Sequence, residues 1–448
     1  MGTCLSNLCR NFRRNRRATR RDFRNRSLVC PLCGENISNS RIRFEDHLVH
    51  CRQLNNASEA ADSSVIVQFE SPGRDAPYET KVTWLRGALD TVRVPWIEDF
   101  KKLVVNRQQL LQYSYEQLLK FTPHDMHKEF HVLFEGEISQ DAGGLTKEWL
   151  CTLTKTILSL ESGLFMQTQA DNVSYFINPE CKQDKLHLYS FSGMVFGKAL
   201  FESIPIPCHL NRTLFKHLVG ESISLEDIRF LDFSLYSSLI FVSENDITGV
   251  LFEKFSVGKD ELKPGGHGIA VTNENKAEYI SLRINYESYR KAKESIDAFL
   301  DGFYKVVPKE LLVCLNFDEL ELALCGIPFI DVQDWEENSV YRGIYNSNHP
   351  IIRWFWEFLG TLTQDQLSDL LLFCTGTSRL PVEGFRALRT LRGETAKFTI
   401  ESLGLEFMYP RAHTCFNRLD IPLYASKADL EKALLYVIEN HSAGFGME

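Results

Sequence analysis

Apolar positions are unevenly distributed along this chain of 448 residues. Residues 52–80 are rich in Ser, Ala, Asn, Asp and Pro, and their one apolar run, Val65–Phe69, predicts a short strand within a linker. From Pro95 onward apolar residues recur near helical spacing, which predicts helices at the start of a large folded domain. The positions with this spacing are Ile97, Phe100, Leu103, Val104, Leu110 and Leu111.

The segment 133–150, LFEGEISQDAGGLTKEWL, joins an extended apolar run to an acidic loop that contains Asp141. The glycine pair at 143–144 permits a tight turn after this loop. Thr146 is suited to cap a helix that begins near Lys147. The pattern therefore predicts a strand, a turn and a capped helix in this order.

Two helical stretches further along flank a segment of different composition. Cys325 lies on the apolar face of the first stretch, which predicts a packed structural thiol. Between Tyr341 and His349 the apolar pattern is lost, and Gly, Asn, Ser and Pro replace it. This composition is typical of a hinge. The helix that contains Trp354 and Trp356 follows it.

Composition places the chain among ordinary soluble proteins, since 44% of its residues are hydrophobic and 24% are charged. Its length favours more than one domain. No run of 18 apolar residues predicts a membrane-spanning helix, and the first residues lack the apolar core of a secretory signal. Twelve cysteines without such a signal indicate a reducing compartment, where metal binding or catalysis explains cysteine better than disulfides do.

Charge is divided sharply between the N-terminus and the rest of the chain. Residues 1–26 contain nine Arg and one acidic residue, a net of +8, so the remaining residues carry −17 of the total of −9. The arm 1–29 is predicted to be disordered and to attract an anionic surface. The acidic remainder makes nucleic acid an improbable partner for the body of the protein.

The start of the arm fits the N-myristoylation pattern Met-Gly-x-x-x-Ser, with Gly2 and Ser6 in place. Cys4 and Cys9 are available for palmitoylation, and the Arg cluster supplies the further signal that stable membrane attachment requires. The alternatives are a chance match, a nuclear localisation signal, or contact of the arm with nucleic acid.

Residues 30–51 have the spacing of a zinc-binding module. Cys30 and Cys33 form a C-x2-C pair, and His47 and Cys51 form an H-x3-C pair on a predicted helix. Such a set can place four ligands on one tetrahedral zinc ion. His50 is a rival for the third position, but it lies on a different helical face. The alternative is a reduced, unstructured stretch.

The candidate nucleophile lies near the C-terminus, in the segment 411–424. Cys415 has His413 two positions before it and Thr414 beside it. Acyl transfer by a thiol requires the thiolate, and basic neighbours raise the ionised fraction. His413 and Arg418 are the local candidates for this effect.

The run PRAHTCFNRLDIPLY around Cys415 resembles the active-site segment of HECT-type ubiquitin ligases. The blocks at 133–150, 189–210 and 317–359 resemble further HECT-domain signatures, in the same order. The resemblance covers Pro95 to Glu448. In the block at 189–210 it implies a long helix in which Gly193 and Gly197 allow close helix packing.

The fold that this resemblance implies is α+β and bilobal. It has a mostly helical larger N-lobe with a small α/β subdomain, a hinge and an α/β C-lobe. A zinc finger and a disordered basic arm precede it. The predicted boundaries are 1–29 for the arm, 30–51 for the finger, 52–94 for the linker, 95–340 for the N-lobe, 341–349 for the hinge and 350–448 for the C-lobe.

The resemblance also implies roles for individual residues. Cys415 would carry ubiquitin as a thioester, with His413 polarising the thioester or holding the loop and Thr414 supporting the oxyanion. Residues outside this loop would orient the acceptor lysine or seat the C-lobe. These residues are Asp141, Phe445 and Glu448.

An apolar groove in the small subdomain would receive the ubiquitin-conjugating enzyme. The candidates for this groove are Leu239, Phe241, Phe299 and Phe303. Val173 stands where some family members have a tyrosine that binds a second ubiquitin, which argues against such an exosite here.

The sequence therefore predicts a ubiquitin ligase that forms a thioester on Cys415 and transfers ubiquitin to lysines of protein substrates. The finger would hold a structural zinc, and catalysis would need no cofactor. The expected location is the cytoplasm, with membrane attachment through Gly2 and Cys4, or the nucleus. The alternatives are an inactive scaffold of the ubiquitin pathway and a thiol hydrolase that acts on ubiquitin conjugates.

Overall fold

The first part of the folded chain is mainly helical. The computed structural model describes residues 71–137, 142–170, 174–181, 183–390, 395–404 and 407–440. Up to residue 201 its elements are α1 (Tyr78–Val92), β1 (Phe100–Val105), α2 (Leu110–Leu118), α3 (Pro123–Met126), β2 (Glu129–Phe134), α4 (Ala142–Leu158), β3 (Phe165–Gln167), β4 (Tyr175–Ile177) and α5 (Leu186–Phe201).

The middle of the chain adds mostly short helices and contains a small hydrophobic cluster. Its elements are α6 (Arg212–Val219), α7 (Leu225–Ile228), α8 (Phe233–Glu244), β5 (Ser256–Val257), β6 (Asp260–Glu261), α9 (Lys276–Ser288), α10 (Lys293–Tyr304) and α11 (Phe317–Cys325). Leu239, Phe255 and Tyr279 belong to the buried cluster of this part.

The C-terminal part combines a four-stranded sheet with helices. Its elements are α12 (Val332–Glu337), β7 (Val340–Arg342), α13 (Pro350–Leu359), α14 (Gln364–Thr375), β8 (Thr399–Leu403), β9 (Arg411–His413), β10 (Arg418–Pro422) and α15 (Lys427–Asn440). The strand order is β7-β8-β10-β9, parallel except for the β10–β9 pair. The mixture of helix and sheet agrees with the predicted α+β class.

Helix α1 lies within the range predicted as a linker, so that prediction is wrong for residues 78–92. Val82, Leu85 and Leu89 bury one face of the helix, which is the spacing of an amphipathic helix. The ammonium of Lys81 is also buried, and it contacts Glu319 at 2.9 Å and the carbonyl of Arg74. The folded body therefore begins before Pro95.

Strand β1 replaces the helix expected after Pro95. It pairs with β2 in parallel, from Phe100 opposite Glu129 to Val105 opposite Phe134. Burial alternates along the last three residues of the strand, as expected for β structure. Leu103 and Val105 are buried, and Val104 between them is exposed. The neighbouring apolar positions imitated helical spacing because a short apolar run fits both periods.

The connection from β2 to α4 differs from the prediction in two respects. β2 is extended as expected, but α4 begins at Ala142, so the glycine pair 143–144 lies in the helix and not in a turn. Thr146 likewise lies inside the helix and does not cap it. Its hydroxyl instead donates to the carbonyl of Phe130 at 2.7 Å. This bond ties α4 to β2.

The predicted close packing at Gly193 and Gly197 is confirmed. A Cβ at Gly193 would lie 2.0 Å from the carbonyl oxygen of Phe299, and one at Gly197 would lie 2.9 Å from that of Phe303. From the opposite side, a Cβ at Gly302 would lie 1.9 Å from the carbonyl oxygen of Ser190. Helices α5 and α10 therefore meet backbone to backbone.

The first residues of the predicted hinge belong to the C-terminal sheet, which contradicts a hinge that begins at Tyr341. Strand β7 pairs with β8, with Tyr341 opposite Ile400. The buried hydroxyl of Tyr345 donates to the carbonyls of Ile421 at 2.9 Å and Pro422 at 3.1 Å. A segment bonded in this way moves with the sheet.

The hydrophobic core of the C-terminal part begins at Ile330 and extends to Ile438. Trp335 is fully buried and stacks on Phe385, with ring centroids 4.6 Å apart. The residues before this core, Gly326 to Phe329, follow the end of α11 directly. Within the described ranges, no helix is both long and apolar enough to cross a membrane.

We expect Gly193→Ala to lower the free energy of unfolding by about 2 kcal/mol or more, because the new methyl group would overlap the backbone of α10. Gly87→Ala is the matched control, since Gly87 lies on the exposed face of α1 and a methyl group added there would have no atom within 4 Å. That change should stabilise the protein by up to ~1 kcal/mol. Urea unfolding measures both. Equal free energies of unfolding for the two variants would contradict the close packing of α5 on α10.

Candidate active site

Cys415 lies at the tip of a tight turn between two strands of the C-terminal sheet. We call residues 413–417 the Cys415 turn. Strands β9 and β10 pair in antiparallel fashion, with His413 opposite Arg418, and residues 414–416 form a single 3₁₀ turn between them. Cys415 is half-buried, Thr414 is buried, and Phe416 projects into solvent. The sheet therefore presents Cys415 at an accessible edge.

Accessibility separates Cys415 from most of the described cysteines. Buried thiols are found at Cys151, Cys208, Cys314, Cys325 and Cys374, whereas Cys181 and Cys415 are partly exposed. Burial raises the pKa of the Cys151 thiol to about 12, which keeps it protonated and unreactive at neutral pH. Cys325 contacts the sulfur of Cys208 at 3.3 Å, and its predicted structural role is confirmed.

Four charged or ionisable side chains line one face of the sheet beside the turn. Nε2 of His413 lies 2.9 Å from a carboxylate oxygen of Asp420. Arg418 contacts Asp420 at 3.0 Å and Glu401 at 3.1 Å. The strand register explains the cluster, because Arg418 is opposite His413 and Asp420 is opposite Glu401, which places all four on the same face.

This network fixes what His413 and Arg418 can do. One ring nitrogen of His413 is held by Asp420, so the imidazole is anchored to β10. The guanidinium of Arg418 is shared between two carboxylates. Arg418 therefore braces the strands, and its charge is not reserved for the Cys415 thiolate.

Asn417 closes the turn. It has φ 50° and ψ 46°, a left-handed conformation that Asn adopts more readily than most residues. Its side chain has no exposed surface, and Nδ2 donates to the carbonyl of Ala396 at 3.0 Å. Its own carbonyl accepts from the backbone N–H of Thr399 at 3.0 Å. The Cys415 turn is thus tied to β8 and to the segment before β8.

Helix α4 supports the same turn from below. The Lys147 ammonium donates to Oδ1 of Asn417 at 3.4 Å and to the carbonyls of Thr375 and Arg389, each at 3.2 Å. Gly376 ends α14 against this helix, and a Cβ there would lie 3.1 Å from Cβ of Lys147. The N-terminal and C-terminal parts of the chain therefore meet at the Cys415 turn.

Several predicted residues lie outside the described ranges. They are Asp141, Phe445 and Glu448 of the proposed transfer site, the zinc ligands Cys30, Cys33, His47 and Cys51, and the lipidation sites Gly2 and Cys4. Their roles stay predictions. Within the residues that the structure describes, no group of three His, Cys, Asp or Glu side chains could hold a metal ion.

The structure corrects three of the four residues predicted to bind a conjugating enzyme. Phe299 and Phe303 have no exposed surface, and Leu239 is buried in the small cluster of the middle part. The ring of Phe299 packs against Phe196, with centroids 5.7 Å apart. Such side chains belong to the core and cannot contact a second protein in this arrangement. Phe241, by contrast, is 46% exposed.

Sequence reasoning did not identify Glu401 or Lys147 as parts of the site. The alternation of Arg418 and Asp420 along one strand was a usable signal, since both side chains point to the same face. Lys147 gave no comparable signal. A lysine near the start of a helix is normally solvated, and only the tertiary contact shows that this one is buried.

Comparisons with known proteins identify the family of this chain. Residues 151–448 match the model of the HECT-domain (ubiquitin-transferase) family. The chain is 39% identical over 353 residues to the E3 ubiquitin-protein ligase Nedd-4 of Drosophila melanogaster, an alignment that covers 76% of this chain and 35% of the relative. It is 37% identical over 354 residues to the E3 ubiquitin-protein ligase pub1 of Schizosaccharomyces pombe, covering 77% of this chain and 46% of the relative.

A relative of lower identity is also an E3 ubiquitin-protein ligase by name. The chain is 34% identical over 382 residues to the E3 ubiquitin-protein ligase HUWE1 of Mus musculus, covering 83% of this chain and 9% of the relative. The chain thus spans less than half the length of each of these three relatives.

We expect Asn417→Ala to be less stable than Asn417→Gly by about 1 kcal/mol, because both lose the side-chain hydrogen bonds but only alanine strains the left-handed backbone. Urea unfolding of the two variants isolates this difference. Both should be less stable than the unmodified protein, since the amide is buried and bonded. Equal stability of the two variants would show that residue 417 does not hold the turn in a left-handed conformation.

Proposed function

The chain belongs to the HECT-domain family of ubiquitin transferases, and on this basis we propose that it is a ubiquitin ligase that carries ubiquitin as a thioester on Cys415. The observation that supports this most directly is the position of Cys415. Cys415 is partly exposed on a turn that is anchored at both ends, which suits a nucleophile that must meet large partners.

In the first step, the Cys415 thiolate attacks the carbonyl carbon of the thioester between ubiquitin and a conjugating enzyme. The new C–S bond forms, the old one breaks, and the thiolate of the conjugating enzyme leaves. One thioester replaces another, so positioning rather than bond strength governs this step. Thr414 is proposed to support the oxyanion of the tetrahedral intermediate.

In the second step, the amine of a substrate lysine attacks the thioester on Cys415. An isopeptide bond forms, the Cys415 thiolate leaves, and the amine loses a proton. Asp141 and Glu448 are proposed to orient the lysine and to accept this proton, and Phe445 to seat the C-terminal lobe. His413 is proposed to hold the turn through Asp420 rather than to act as the base.

Transfer between two distant partners requires movement, so we propose a bilobal domain with a hinge at Gly326–Phe329. The C-terminal hydrophobic core begins directly after this segment, at Ile330, and α11 ends directly before it, at Cys325. Ile327 exchanges backbone hydrogen bonds with Leu380 at 2.8 and 3.4 Å, so the freedom of the proposed hinge lies at its first residue, Gly326. Gly326 has a φ of 62°, which helps to direct the chain away from the helix. This position replaces the predicted hinge at 341–349.

The conjugating enzyme is proposed to bind an apolar surface on and after α8. Helix α8 buries Leu239 and Val242 on one face and leaves Phe233 and Phe241 largely exposed. Phe252 and Val250, in the loop after this helix, are also exposed. Exposed aromatic side chains of this kind are the usual anchors of protein interfaces.

One observation supports a second candidate function, a thiol hydrolase. The His413–Asp420 pair has the arrangement in which a carboxylate orients an imidazole, as in hydrolases with a catalytic triad. Such an enzyme would remove ubiquitin from conjugates instead of building them. The family match favours the ligase.

Incubation with activating enzyme, conjugating enzyme, ATP and ubiquitin should give a covalent ubiquitin adduct that is lost under reducing conditions on a gel. Cys415→Ala should abolish this adduct, because it removes the only sulfur proposed to carry ubiquitin. Cys181→Ala is the control, since Cys181 is the other partly exposed thiol of the described residues. It should form the adduct at the normal rate.

Loss of the adduct in Cys181→Ala but not in Cys415→Ala would assign the thioester to Cys181 instead. Absence of any adduct from the unmodified protein with a broad panel of conjugating enzymes would refute the ligase function. Cleavage of ubiquitin conjugates by the unmodified protein, without adduct formation from a conjugating enzyme, would favour the hydrolase.

Phe241→Ala should weaken binding of the conjugating enzyme by about 1–2 kcal/mol, which is roughly tenfold in the concentration needed for half-maximal thioester formation. The control is Leu160→Ala, because Leu160 is an exposed apolar residue that follows α4 rather than α8. Initial rates at a series of conjugating-enzyme concentrations measure both. An unchanged concentration dependence in Phe241→Ala would remove this surface from the proposal.

A further inference from the structure

The contacts of Lys147 are unusual for a lysine on a helix. Its side chain is only 5% exposed, and its ammonium meets acceptors from three separate segments. These acceptors are the carbonyl oxygen of Thr375 at the end of α14, the carbonyl oxygen of Arg389 and the side-chain oxygen Oδ1 of Asn417. Each of these contacts uses a donor of the ammonium.

All three acceptors lie on one side of the proposed hinge, and Lys147 lies on the other. Thr375, Arg389 and Asn417 follow the segment Gly326–Phe329 in the chain, whereas α4 precedes it. The contact therefore exists only when the two parts have the arrangement described here. Cys151 reinforces it, since its sulfur lies 3.7 Å from the carbonyl oxygen of Gly376.

Asn417 connects this contact to the nucleophile. Its Nδ2 is directed at the carbonyls of Ala396 and Arg389, so Oδ1 is the atom left to face Lys147. Both ends of the Asn417 amide are therefore held, and Cys415 is two residues away. Movement of Lys147 would release one of these ends within a buried site, where a lost hydrogen bond is costly.

We propose that Lys147 is a positioning residue that holds the Cys415 turn for the second step, the transfer of ubiquitin to lysine, and is not needed for the first. This inference rests on the proposed ligase function. On this proposal, thioester formation uses a different arrangement, in which Cys415 reaches an enzyme bound at α8 and the contact with α4 is open. Transfer to lysine uses the arrangement in which Lys147 fixes the turn.

The test separates the two steps in Lys147→Met, which keeps the apolar stem and removes the ammonium. The protein is charged with ubiquitin in a short pulse, the activating enzyme is then stopped, and free lysine is added. We expect thioester formation within about twofold of the unmodified protein and discharge to lysine slower by roughly tenfold or more. If Lys147→Met does not fold, Lys147→Gln is used instead. It should also slow discharge to lysine more than thioester formation, by a smaller factor.

Lys81→Met is the matched control, because Lys81 is similarly buried and bonded but contacts Glu319 and Arg74 instead of the turn. It should lower the melting temperature without slowing discharge relative to loading. The double variant Lys147→Met, Asn417→Gly should discharge no more slowly than Asn417→Gly alone, because Lys147 acts through Asn417.

The outcomes that contradict this inference differ from those that contradict the ligase function. If the unmodified protein forms no thioester, the proposed ligase function fails. If the unmodified protein forms and discharges the thioester and Lys147→Met discharges it equally fast, the ligase function stands and this inference is overturned. Equal slowing of loading and discharge in Lys147→Met would also overturn it, since that pattern indicates a general structural role.

Discussion

The geometry of the candidate site depends on the position of β10 between β8 and β9. Both edges of β10 are hydrogen-bonded, in parallel to β8 and in antiparallel to β9, so its register is fixed twice. Leu419 and Ile421 point into the core, and the polar residues that alternate with them, Arg418 and Asp420, point to the opposite face. A turn that leaves such a strand has little freedom. Cys415 can therefore be accessible without being loosely held.

The same arrangement explains which parts of the site were predictable. Cys415 and its neighbours are contiguous, so their motif is visible in the sequence. The carboxylate of Glu401 joins them only through strand pairing, and Lys147 only through the approach of two distant parts of the chain. A local sequence pattern shows the periodicity of apolar residues and the composition of a segment. It does not show which helices and strands contact each other in the fold. A site assembled across elements is for this reason only half visible in advance.

The fold shows the same division. Strand β2 followed from local chemistry, since its extended pattern depends on nearby residues. The close packing at Gly193 and Gly197 was implied by the family resemblance and not by the local sequence, because the residues that meet these glycines lie in α10. The short apolar run after Pro95 fitted both helical and strand periods, and pairing with β2 decided for a strand. Phe299 and Phe303 illustrate a further limit. Aromatic residues at helical spacing identify a buried or binding face, and only the packing of α10 on α5 shows that the face is already occupied.

The backbone contact between α5 and α10 has a mechanical consequence. Helices that slide past each other normally do so on a layer of side chains that can change rotamers, and this pair has almost no such layer at Gly193 and Gly302. Sliding of α5 against α10 is therefore blocked, and the two helices form a rigid pair within the N-terminal part of the chain. On the proposed hinge, displacement of the Cys415 turn relative to this part would be concentrated in the few residues after α11. A small number of backbone torsions at the proposed hinge would set how far, and in which direction, the Cys415 turn moves.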